Sequence, residues 1–121
     1  MAPTNCTICQ VAPEDAWMAT PLVVAIPHPQ PIGPCHLMVA PRHHVPAFYD
    51  LDVQEQRQLW EALGELRLRI AATIVVTGFD AGFVDAPAGD EQTFHTYVHL
   101  VPRIPGHSTP LPPGPEWVDL G

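Results

Sequence analysis

"EQTFHTYVHLVPR", residues 91–103, is the stretch on which the reading of this chain turns. Phe94, Thr96, Val98 and Leu100 alternate with His95, Tyr97 and His99. Alternation with period two is the pattern of a strand with one buried face. The first set predicts a face packed under a helix. The second set is a row of polar rings, each roughly 6.5–7 Å from the next on an extended strand. A solvated face would account for such a row. Ionisable rings clustered on one rigid face point instead to a site.

The helix that should cover the apolar face lies upstream. Leu59, Leu63, Leu66, Ile70 and Ile74 recur with a 3.6-residue period. Asp50 or Asp52 can cap its start, and Gly78 is expected to end it. "FDAGFVDA" (79–86) reads as a strand, and "PAGD" (87–90) as the turn into the histidine strand. "LVVAI" (22–26) and "HLMVA" (36–40) are two more strands, joined by the Pro-rich "PHPQPIGPC" (27–35). Strands joined by hairpins around one long helix predict an α+β fold with an antiparallel sheet of about five strands and a second, short helix.

With 121 residues the chain has room for one domain. We assign it to residues 1–104, followed by a Pro-rich tail, 105–121, packed on the domain or on a partner subunit. The formal charge is −8, with only five basic residues, all arginine. That balance excludes binding to long nucleic acid, which relies on many cations against phosphates. It leaves room for a small nucleotide held by backbone amides. No apolar run approaches the ~20 residues of a membrane span. "MAPTNCTICQ" has neither a basic start nor an apolar stretch, so the expected location is the cytoplasm. Three cysteines in such a chain do not make a disulfide framework. Cys6-x-x-Cys9 alone fits a redox pair, a metal site or neither.

Taken together, these blocks resemble the histidine triad (HIT) family. "TFHTYVHLVPR" is similar to its His-φ-His-φ-His-φ-φ signature followed by Pro-Arg. "CTIC" resembles its N-terminal Cys-x-x-Cys. "PIGPCHLMVAPRHH" (31–44) resembles its Pro-x-x-Pro-Gly-His-x-Leu-Val-x-Pro-Arg-x-His block. "GFDAGFVDAPAGDEQTFH" (78–95) resembles the stretch leading into the triad. The resemblance implies a small α+β domain, a homodimer with sheets joined edge to edge, and binding or cleavage of nucleoside phosphates. In that chemistry the middle histidine attacks the α-phosphorus. In the zinc-containing branch the resemblance also implies a metal site, mapping onto Cys6, Cys9, His44 and His95. His43 is the adjacent decoy, and His36 a buried histidine beneath the triad.

This chain departs from the pattern at the positions that do chemistry. The nucleophile's place carries Tyr97, a phenol about one part in a thousand ionised at neutral pH. His99 is the nearest candidate base. Val84 stands where an Asn would face the phosphates. Asp90 and Glu91 align with a Gly-Gln pair; alternatively Gln92 and Thr93 align with Gln-Thr after a one-residue deletion. His28 aligns with an acidic position of the nucleoside pocket, and Cys35 with the Gly before His36. The expected catalytic residues are Tyr97 and His99, and the expected substrate contacts His28, Asp90, Glu91, Gln92 and Thr93. Two function classes remain open. One is a divergent hydrolase or transferase whose remade pocket acts on a nucleotide-derived or other small metabolite. The other is a non-catalytic binding module.

Overall fold

A computed structural model describes residues 6–106 and 116–120, without the side chains of Glu116, Trp117 and Asp119. His107 lies outside the described residues. Six strands form one antiparallel sheet: β1 (Met18–Ala19), β2 (Val23–Pro27), β3 (Leu37–Pro41), β4 (Gly78–Val84), β5 (Tyr97–Arg103) and β6 (Glu116–Asp119). Their order is β1-β2-β3-β5-β4-β6. β3 and β5 are the central pair, with Met38 opposite His99 and Val39 opposite Val98.

The helix α1 (Val53–Ala71) begins at Asp52. The Asp52 side chain accepts from the Glu55 N–H, and the Glu55 carboxylate accepts from the Asp52 N–H. This reciprocal cap satisfies two donors that a helix start would otherwise leave orphaned. Asp50 belongs to the preceding 3-10 turn, Phe48–Asp50. A second 3-10 turn spans Pro13–Asp15, so the expected short helix is represented only by these single turns. Leu59, Ala62, Leu63, Leu66 and Ile70 form the buried stripe of α1. They pack on Val23, Ala25, Leu37, Val39, Ala81, Val98 and Leu100 from the sheet. Each fully buried Leu contributes about 1.5–3 kcal/mol by its removal from water.

Two sequence expectations about boundaries are corrected. The helix stops at Ala71 rather than running to Gly78. Ile74 still packs against the core, but from the loop beyond the helix, where a contact can persist without helical geometry. Gly78 instead opens β4, where an added Cβ would collide with the Arg103 guanidinium. The histidine strand also starts late: β5 begins at Tyr97, so His95 sits in the approach to the strand.

The sheet has one strand more than expected. β6 pairs along β4 from Phe83–Glu116 to Asp80–Asp119. Its composition hides it, because the residues before it are dominated by prolines and glycine. With β6 in place, the edges of the described sheet are the two-residue β1 and the four-residue β6.

Candidate functional site

The three rings predicted to form one row belong to two different clusters. Around His95, four ligand-type atoms converge. Cys6 Sγ and Cys9 Sγ lie 3.5 and 3.4 Å from His95 Nδ1. His44 Nδ1 lies 3.1 Å from His95 Nδ1 and 3.2 Å from Cys9 Sγ. All four atoms fall within 4.8 Å of one another, close enough to hold a metal ion. His95 Nε2 faces the Pro41 carbonyl at 2.7 Å. A carbonyl can only accept, so Nε2 carries the hydrogen and Nδ1 keeps a lone pair for a cation. Metal-ligating histidines are commonly oriented in this way. Burial and neighbouring Cys6 push the Cys9 thiol up to about 11. Without a cation Cys9 therefore stays protonated at neutral pH, and a bound metal reverses that balance. His43 is turned away, its Nδ1 3.2 Å from Glu55 Oε2 on the helix.

The second cluster holds His28, His36 and His99, also with ligand-type atoms within 4.8 Å of one another. His36 and His99 are buried. The Ile32 N–H donates to His36 Nδ1 at 3.1 Å. Neutral His36 therefore carries its hydrogen on Nε2, and donates it to His99 Nδ1 at 2.8 Å. Neutral His99 in turn carries its hydrogen on Nε2. Burial, with the repulsion of His28, lowers the pKa of both His36 and His99 to about 4. For His36 the charge of His99 adds to that effect. His28 stacks on His36 at 4.4 Å and on His99 at 4.9 Å between ring centroids.

Tyr97 packs against the second cluster. Its ring meets His99 edge-on at 5.1 Å, and lies 6.2 Å from both His28 and Phe94. Burial raises its phenol above the ordinary value. Val84 is its cross-strand partner on β4.

A cleft of about 540 Å³ opens beside these rings, lined by residues that include Pro29, Met38, Asp90, Thr93 and Phe94. Cys6 and His95 reach the same cleft. Two of the expected substrate contacts, Asp90 and Thr93, thus share one wall. Glu91 does not line it. Its carboxylate folds back to accept from the Gly89 N–H at 2.7 Å. Gln92 is exposed and also outside the lining. His28 is next to the Pro29 wall. Sequence reasoning placed Phe94 on the core face of a strand. It lines the cleft because the regular strand starts three residues later, and no local signal marks that shift.

The comparisons agree with this fold. Residues 10–106 match the HIT domain, and the chain belongs to the HIT family. A bifunctional bis(5'-adenosyl)-triphosphatase/adenylylsulfatase of Arabidopsis thaliana is 28% identical over 97 residues, 80% of this chain. The chain spans about half of that relative's length, 54%. Among solved structures, a HIT family protein from Bacillus anthracis superposes with a TM-score of 0.72 at 19% identity, covering 85% of this chain and 76% of that one. The Plasmodium falciparum diadenosine triphosphate hydrolase, in complex with cyclomarin A, gives 0.62 at 18% identity, covering 79% and 65%. At such identities the likeness is one of fold.

Proposed function

We propose that this protein is a divergent HIT-family protein with a remade pocket, which takes a nucleotide-derived or other small metabolite and forms no nucleotidyl-histidine. Asp90, Thr93 and Phe94 wall the cleft that would admit the ligand, with Tyr97 packed beside Phe94 and His99 beside Tyr97, neither of them in the cleft lining. The observation that carries this reading is the 2.8 Å hydrogen bond from His36 Nε2–H to His99 Nδ1. That bond occupies the lone pair through which neutral His99 would accept a proton. His99 therefore cannot serve as the base that a phenol nucleophile needs. Tyr97 acts as a hydrogen-bonding group, presenting its hydroxyl to the ligand. The relatives that act on adenosine nucleotides support the ligand class.

The Cys6, Cys9, His44 and His95 set suits a structural zinc ion. Zinc holds thiolates at about 2.3 Å and imidazoles at about 2.0–2.1 Å, so a tetrahedron would space these atoms roughly 3.3–3.8 Å apart. The Cys6–His95, Cys9–His95, Cys9–His44 and His44–His95 spacings run from 3.1 to 3.5 Å. With four protein ligands the ion would cross-link the N-terminal turn to the segment after β3 and the approach to β5. A homodimer in the cytoplasm completes the reading.

Turnover of adenosine phosphoramidate tests it. Wild type should show almost none. Turnover on the order of 1 s⁻¹ or more, abolished in Tyr97→Phe, would mean that a phenolate attacks and that the reading is wrong.

A further inference from the structure

Cys6 and Cys9 differ in what they face. Cys6 lines the cleft together with His95, and Cys9 does not. Cys9 Sγ sits against both imidazoles, 3.2 Å from His44 Nδ1 and 3.4 Å from His95 Nδ1. A tight turn keeps the two sulfurs on one side. The Gln10 N–H donates to the Cys6 carbonyl at 3.1 Å, and the Cys9 N–H to Cys6 Sγ at 3.4 Å. The sulfurs lie within 4.8 Å of each other. Cys35 is no rival partner, because it packs against the core under α1, whereas Cys6 packs with Ile8 and Met38 in a smaller cluster. The two imidazoles are held differently. His95 is fixed by its Nε2–H on the Pro41 carbonyl. His44 Nε2 is buried with no hydrogen-bond partner among the described residues. Nothing pins the His44 hydrogen to that atom, so either ring nitrogen can carry it.

We propose that Cys6 and Cys9 are an oxidation site: a hydroperoxide joins them in a disulfide and so expels the metal into solution. This rests on the metal reading above and adds a control to it. Thiolate is the reactive form of cysteine, and a bound cation enforces it. Cys6 Sγ attacks one peroxide oxygen, since that sulfur borders the cleft through which a small oxidant arrives. The O–O bond breaks, and the leaving hydroxide or alkoxide takes a proton from solvent. Cys9 Sγ then attacks the sulfur of the resulting sulfenic acid. The S–S bond forms, the S–O bond breaks, and the second oxygen leaves as water with a second solvent proton. Two electrons have passed from the sulfurs to the peroxide. The cation, its charge unchanged, keeps only two imidazoles, short of the four ligands of a structural zinc site. Its departure would leave lone pairs facing each other across the 3.1 Å between His44 Nδ1 and His95 Nδ1. His44 relieves this by carrying its hydrogen on Nδ1 and donating it to His95. The oxidised chain thus replaces the metal with one disulfide and one hydrogen bond.

The experiment treats the zinc-loaded chain with hydrogen peroxide at neutral pH and follows free zinc, free thiols and disulfide-linked peptides together. About one zinc should leave for each Cys6–Cys9 disulfide, and Cys35 should stay reduced. A thiol reductant with added zinc should restore the starting state. Limiting iodoacetamide on the loaded chain should label Cys6 ahead of Cys9. In ¹⁵N spectra, His44 should carry its hydrogen on Nε2 in the loaded chain and on Nδ1 in the oxidised one. Zinc retained after both thiols are lost, a disulfide through Cys35, Cys9 labelled first, or a His44 hydrogen that stays on Nε2 would each overturn the proposal while leaving the metal reading intact. A chain that takes up no zinc separates the two ideas the other way. The metal reading then fails, and peroxide on that chain decides the pair. A Cys6–Cys9 disulfide would uphold the oxidation site, and sulfinic acid without a disulfide would sink it.

Discussion

The Nε2–H of His95 donates to the carbonyl of Pro41 at 2.7 Å, joining residues 54 apart in the chain. The bond aims the other nitrogen of the ring at Cys6, Cys9 and His44. A side chain aimed this way is prepared for its ligand before the ligand arrives.

One zinc ion per chain is therefore expected in purified protein. Cys6→Ser should lower stability by several kcal/mol, because the free energy of metal binding is also free energy of folding. Less than about 0.3 zinc per chain, with Cys6→Ser as stable as wild type, would refute a structural ion.

Restoring the row with Tyr97→His should yield only weak hydrolysis. Val84 and Asp90 leave the phosphate surroundings altered, and the His36 hydrogen bond still occupies Nδ1 of His99. Single-turnover assays with adenosine phosphoramidate would check this. A gain to an ordinary enzyme rate, on the order of 10 s⁻¹, would show that the nucleophile alone had been missing.

Stability should fall in acid. His36 and His99 have folded values near 4, below their ordinary 6.5, so the unfolded chain binds their protons first. The stability they contribute is complete above pH 6.5 and is lost as pH falls towards 4. Two extra protons bound on unfolding correspond to a slope of at most about 2.7 kcal/mol per pH unit. Denaturant titrations from pH 7 to 4.5 measure it. His36→Gln should make the slope shallower, and an unchanged slope in that variant would contradict the assignment.

Association should give a two-fold dimer of about 26 kDa, twice the 13.2 kDa chain. Tyr49, Trp60 and Val118 expose apolar surface at 72%, 44% and 40%. Light scattering at micromolar concentration would show the dimer, and Trp60→Glu should weaken it. A monomeric mass for wild type would rule it out.

The core offers a plain check of the fold. Leu66 is completely buried between α1 and the sheet, and Leu66→Ala should cost about 2–5 kcal/mol in chemical denaturation. A loss below 1 kcal/mol would mean that the helix does not pack as described.

Much of this was legible in the sequence, because period and punctuation carry it. The leucine spacing announced the helix face, and alternation announced β5. The Cys-x-x-Cys and the two histidines could be joined into one cluster only through the family likeness, since the contacts span up to 89 residues. The same likeness put Cys35 where a glycine belongs, and Cys35 does hold the left-handed backbone, φ 60°, that glycine favours. The hidden parts have physical reasons. The hydrogen-bond direction through His36 depends on one amide of an irregular loop, and no residue pattern encodes that. β6 lacked a periodic stretch long enough to stand out from its Pro-rich surroundings.

The placement of Tyr97 bears on how this protein could change over generations. The ring packs against His28 and His99 of one cluster but belongs to neither set of candidate ligands, and its contacts are those of packed aromatics. A replacement at position 97 leaves the Cys6, Cys9, His44 and His95 set and the His36–His99 hydrogen bond in place. The site is therefore modular: one codon can be drawn and redrawn, with the scaffold left to hold whatever chemistry arrives. A library confined to that codon would be a compact place to look for new activities.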